Sequence, residues 1–120
     1  MARRLMVAAV FITLTAACGD NNTPTTPSSG SPGGPSISIV AGAIGLTTTA
    51  YSPNPQTISR GSTVTFVNND SAPHTATSGG VFDTGVISAG GRASVTLQNT
   101  GSFTYRCTLH PNMIGTLVVQ

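Results

Sequence analysis

Ser102-Phe103-Thr104-Tyr105-Arg106-Cys107-Thr108-Leu109-His110-Pro111-Asn112-Met113 is a strand that runs into a tight turn. Alternation along its first half sets Phe103, Tyr105 and Cys107 on one face. With the two aromatics facing a core, Cys107 faces it too, at the strand's end. Pro111 and Asn112 form the turn, and Gly115 restarts a last strand. Cys107, His110 and Met113 then stand around one loop, each three residues from the next. The other histidine of the chain, His74, follows Pro73 at the start of a separate strand.

The same reading extends over the rest of the chain. Short apolar or alternating runs are separated by Gly, Pro, Asn and Ser. Strands are predicted at Ser36–Val40, Gln56–Ser59, Thr63–Asn68, His74–Thr77, Ala93–Gln98, Ser102–Cys107 and Gly115–Val119. Val64 and Phe66 share a face, as do Val95 and Leu97. Turn signals stand at Arg60-Gly61, Asn68-Asn69-Asp70, Gly79-Gly80 and Ala89-Gly90-Gly91. No stretch after the first apolar run has a helical period. The fold class is therefore all-β, a single β-sandwich of about seven or eight strands over residues 36–120.

The N-terminal residues have a different composition. Arg3 and Arg4 precede an apolar run, Leu5 to Thr15, too short to span a bilayer. Ala16 and Ala17 then lead to Cys18. Residues 1–17 read as a signal peptide. The approach to Cys18 resembles a bacterial lipobox, with Thr15 where Leu is usual, which makes Cys18 the expected lipidation site. Ordinary cleavage nearby and a twin-arginine export signal are the other readings. Residues 18–35 then form a disordered tether, because Gly19 to Pro35 offers nothing apolar to bury. The expected location is the periplasm or the cell surface, anchored to a bacterial membrane.

Charge is scarce. From Cys18 onward Arg60, Arg92 and Arg106 balance Asp20, Asp70 and Asp83, so the basic excess lies in the signal peptide. No basic patch exists to bind nucleic acid. A partner must dock on neutral or apolar surface rather than be steered by long-range charge. Only two cysteines occur, and Cys18 lies before the tether. Cys107 is thus an unpaired thiol in an oxidising compartment, which metal ligation explains.

Each donor has a bland reading on its own: a surface His74, a loop His110, a core-filling Met113, a small buried Cys107. Together they make a rarer set of one thiolate, two imidazoles and one thioether, which matches a blue-copper electron-transfer site. Structural zinc wants four Cys or His ligands, and here there are three. Cys–His nucleophilic catalysis would leave Met113 without a role.

The domain resembles the cupredoxins of the plastocyanin/azurin group, over about Ser36 to Gln120. Val67-Asn68-Asn69-Asp70-Ser71-Ala72-Pro73-His74 is similar to the plastocyanin segment that delivers the first histidine. Tyr105 to Met113 is similar to the short amicyanin loop. The resemblance implies a Greek-key sandwich, one copper ion cycling between Cu(I) and Cu(II), equatorial His74, Cys107 and His110, and axial Met113. It also implies a carrier that passes single electrons between redox protein partners, and a monomer is expected.

Two departures from the family stand out. Thr75 replaces the usual Asn after the first histidine, and a hydrogen bond between Thr75 and Thr108 is expected in its place. Leu109 replaces a Pro, and its N–H is expected to join the Thr75 N–H on the Cys107 sulfur. Electrons are expected to pass at His110, ringed by Ala72, Pro73, Leu109, Pro111 and Met113. The competing functions are copper delivery or storage with the same ligands, a metal-free adhesion module, and a subunit of a larger oxidase or reductase. Nothing in the chain supplies a second catalytic centre, so no enzyme activity is expected.

Overall fold

The structure, a computed structural model, describes residues 34–120. The expected signal peptide, Cys18 with its lipidation, and the tether up to residue 33 lie outside the described residues. Nine strands follow in order: β1 (Ser36–Ile39), β2 (Tyr51–Ser52), β3 (Gln56–Ile58), β4 (Thr63–Asn68), β5 (Thr77–Ser78), β6 (Phe82–Asp83), β7 (Arg92–Thr96), β8 (Gly101–Arg106) and β9 (Ile114–Val119). A single 3₁₀ turn, Ala43–Gly45, lies between β1 and β2.

The strands form two sheets, ordered β2-β1-β4-β7 and β3-β9-β8-β5-β6. β1 runs parallel to β4 and β3 parallel to β9, and the other pairs are antiparallel. Alternation decides which side chains meet between the sheets. In β4, Val64 and Phe66 are buried, while Thr63 and Thr65 pair outward with Thr96 and Ser94 through hydroxyls 2.7 and 2.9 Å apart. The opposite sheet contributes Tyr105, Leu117 and Val119. Tyr51, Phe66 and Tyr105 pack edge to face, with the two tyrosine rings 4.8 Å apart between centroids. The Tyr105 ring lies directly over Gly115, its cross-strand partner in β9, where any Cβ would overlap it.

The all-β sandwich is as the sequence implies, with two differences in detail. β2 and β6 have two residues each, too short to show a period, which raises the strand number to nine. The expected strand His74–Thr77 is only a one-residue bridge between His74 and Ile87, and β5 begins at Thr77. The reason is local. His74 exchanges both backbone hydrogen bonds with Ile87, at 3.1 and 2.7 Å. The next two amides then leave the ladder, Thr75 N–H for the Cys107 sulfur and Ala76 N–H for Thr84 Oγ1. Strand geometry is given up where the backbone serves a side chain.

Candidate metal centre

The segment leaving β4 carries His74, and Asn68 shapes it. Asn68 is fully buried. Its Nδ2 donates to the Ala72 and Ile87 carbonyls, and its Oδ1 accepts from the Asp70 N–H. That turn brings the Asp70 carboxylate onto His74 Nε2 at 2.7 Å. Asp70 also accepts from the Gly42 N–H at 3.0 Å and the Ser71 N–H at 2.8 Å. The His74 hydrogen bond, then the Gly42 amide, hold the Asp70 carboxyl below the usual carboxylate range. A carboxylate only accepts, so Nε2 carries the His74 proton and Nδ1 presents a bare lone pair.

The second segment is the β8–β9 hairpin loop. It closes with Cys107 N–H on the Met113 carbonyl and Met113 N–H on the His110 carbonyl, at 3.2 and 3.0 Å. Cys107 is a free, buried cysteine. His110 is half-buried, between exposed Leu109 and Pro111. Met113 is 0% exposed, which corrects the expectation that it helps to ring the surface. It stands one residue before β9, in phase with that strand's buried residues Gly115, Leu117 and Val119.

The two segments meet at three atoms. His74 Nδ1 and His110 Nδ1 are 3.1 Å apart, and Cys107 Sγ lies 3.8 Å from the first and 3.7 Å from the second. Nitrogen and sulfur bonds of about 2.0 and 2.3 Å to one ion space such ligands by roughly 3.3 to 3.8 Å, so the two sulfur distances match and the two nitrogens stand slightly closer than they would around the ion. Two imidazole nitrogens and a thiol this close can hold one cation between them, and the donors fit one. A thiolate, two imidazoles and a neighbouring thioether suit copper better than zinc, which would take a fourth His or Cys. Among the described residues no other group of three such side chains converges.

Thr75 binds the two segments together. Its N–H donates to Cys107 Sγ at 3.3 Å, and its Oγ1 accepts the Thr108 N–H at 2.9 Å and lies 3.2 Å from Thr108 Oγ1. The Leu109 N–H makes no such bond to the sulfur, so the sulfur has one backbone donor rather than the two expected. Leu109 is instead 48% exposed beside His110. Pro73 is exposed and Ala72 half-buried at the same end. Sequence reasoning missed Asn68, Asp70 and Tyr51. The last is buried and donates its hydroxyl to the Thr75 carbonyl at 2.6 Å. The one available signal was a carboxylate four residues before a histidine.

A family model described as a cupredoxin-like domain matches residues 5–119. Among solved structures the chain is similar to a purple cupredoxin from Nitrosopumilus maritimus, at 30% identity over 72% of this chain and 99% of that one, with a TM-score of 0.67. It is also similar to a methionine-to-alanine variant of amicyanin in the Cu(I) form, at 26% identity, 77% and 87% coverage and a TM-score of 0.64. No curated protein matches the chain.

Proposed function

The chain belongs to the cupredoxin-like family, and we propose that it is a type 1 copper protein that carries single electrons between redox partners. The observation that carries this reading is the convergence of His74 Nδ1, His110 Nδ1 and Cys107 Sγ in one cluster, two of its members buried and His110 half-buried. His74, Cys107 and His110 would hold the ion, with the Met113 thioether as a weak fourth donor. Bound there, copper would supply a one-electron couple and no substrate chemistry.

The protein's own contribution is a frame that resists change. Asp70 orients His74, and Thr75 ties the Cys107 loop to the His74 segment. Burial of Cys107, His74 and Met113 excludes water from three of the four ligands. His110 is the half-buried member and the point nearest a partner. Exposed Leu109, Pro73 and Pro111 surround it without charge, which suits docking on an apolar face. We further propose export to the periplasm or cell surface, with Cys18 lipidated and the domain working as a monomer on its tether. No helix among the described residues is long and apolar enough to cross a membrane.

The test is spectroscopic. Copper-loaded protein is expected to show an intense thiolate-to-copper band that Cys107→Ser abolishes. A colourless product at stoichiometric copper would overturn the reading. Fast electron self-exchange with the metal retained would separate electron carriage from copper delivery or storage.

A further inference from the structure

Behind Thr75 lies a chain of hydroxyls that the copper reading leaves unused. Thr77 Oγ1 is 3.1 Å from Thr75 Oγ1 and 2.9 Å from Asp83 Oδ1. Thr77 has one hydroxyl proton, and a carboxylate only accepts. Thr77 is the donor in both contacts, so its one proton is shared between the Thr75 oxygen and Asp83. Thr75 Oγ1 accepts from Thr77 and from the Thr108 N–H at 2.9 Å, which leaves its own proton for Thr108 Oγ1 at 3.2 Å. Thr77 thus bridges the Thr75 oxygen and the Asp83 carboxylate. The Gly85 N–H, 2.8 Å from Asp83 Oδ1, anchors the acidic end. The other end is the ligand loop, because Thr75 holds the Cys107 sulfur with its amide and the Thr108 amide with its side chain.

We propose that Thr77 is a positioning residue for the Cys107 sulfur. It lies outside the ligand set, on the edge hairpin β5–β6, where it faces Asp83 across the strands. By donating to the Thr75 oxygen it keeps that oxygen turned toward the Thr108 amide, which fixes the Thr75 N–H on the sulfur. The effect on a copper potential rests on the function proposed above, whereas the grip on the loop exists without metal. With the grip loosened, the sulfur loses its donor, gives more charge to an oxidised ion and lowers the potential.

The test is amide hydrogen exchange on the metal-free protein, with Thr77→Val, Thr77→Ser and Asp83→Ala compared with the parent. Valine keeps the shape and strand preference of threonine and removes only the hydroxyl. Exchange at the Thr75 and Thr108 amides is expected to quicken about tenfold relative to the β4 and β7 amides, the loss of one net hydrogen bond. Serine should restore the parent rate, and Asp83→Ala, which leaves the Thr77 proton to Thr75 alone, should keep the parent protection at these two amides. Unchanged protection in Thr77→Val, or quickening spread evenly over all strands, would overturn the proposal. In copper-loaded protein Thr77→Val should shift the potential downward and Thr77→Ser should not. Asp83→Ala is left out of that comparison because it also removes a charge. A parent protein that gives no thiolate band would end the copper reading, while the exchange result would still judge the grip.

Discussion

Tyr51 and Tyr105 show how one side chain can have opposite worth in two places. Both rings are buried and pack edge to face. Tyr51 O–H donates to the Thr75 carbonyl at 2.6 Å. Tyr105 Oη is buried without a hydrogen-bond partner among the described residues. A buried polar group left unpaired costs about 1–3 kcal/mol. Tyr51→Phe leaves the Thr75 carbonyl unpaired and is expected to destabilise the metal-free domain by roughly that amount. Tyr105→Phe removes an unpaired hydroxyl and should be neutral or stabilising by up to about 1 kcal/mol. Denaturant unfolding with an unchanged m-value checks both, and a clearly destabilised Tyr105→Phe would mean that the hydroxyl has a partner. The contrast also marks what the sequence could show. His74, Cys107, His110 and Met113 were legible because the ability to bind metal belongs to the side chain itself. Tyr51, Asn68 and Asp70 were not, because a phenol, amide or acid reads the same in solvent as it does holding a ligand from a distant segment.

Among the elements, β4 and its exit turn decide the most. The strand itself was legible, since Thr63-Val64-Thr65-Phe66-Val67 alternates and its inner residues are buried. The exit was not, because its shape comes from Asn68 reaching forward to Ala72 and across to Ile87. The two-residue β2 and β6 escaped for a simpler reason, since a period needs more residues than they have. Asn68→Ala removes both donors and the acceptor for the Asp70 amide at once. All are buried or partly buried, so the loss is expected to reach at least about 2 kcal/mol. The turn also carries Asp70, so the same variant should free His74 and raise the rate of copper loss. Thermal unfolding of the metal-free domain and transfer of copper to a chelator measure the two effects. Full stability with faster copper loss would show that Asn68 orients the ligand without holding the fold.

At the scale of the molecule, the sandwich hides both of the chain's tyrosines, and the chain has no tryptophan. Its phenol titration is therefore a reading of the core as a whole. Burial raises both phenols well above the ordinary range, with Cys107 and Tyr105 adding to the effect at Tyr51. The sign follows from linkage. The unfolded chain releases its tyrosine protons near pH ~10, while the folded domain keeps them. Above that pH the unfolded state binds fewer protons, so stability falls as pH rises. The stability from both groups is fully present below the unfolded value and is lost through the interval up to the folded ones, at up to about 1.4 kcal/mol per pH unit for each tyrosine. Tyrosinate absorbance in the metal-free domain should thus appear together with unfolding and not before it. The double variant Tyr51→Phe with Tyr105→Phe should flatten this alkaline slope although it lowers stability at neutral pH. Tyrosinate that forms at an ordinary pH in a still-folded domain would mean that water reaches the space between the sheets. The frame proposed to keep water from the buried ligands would then be open from below.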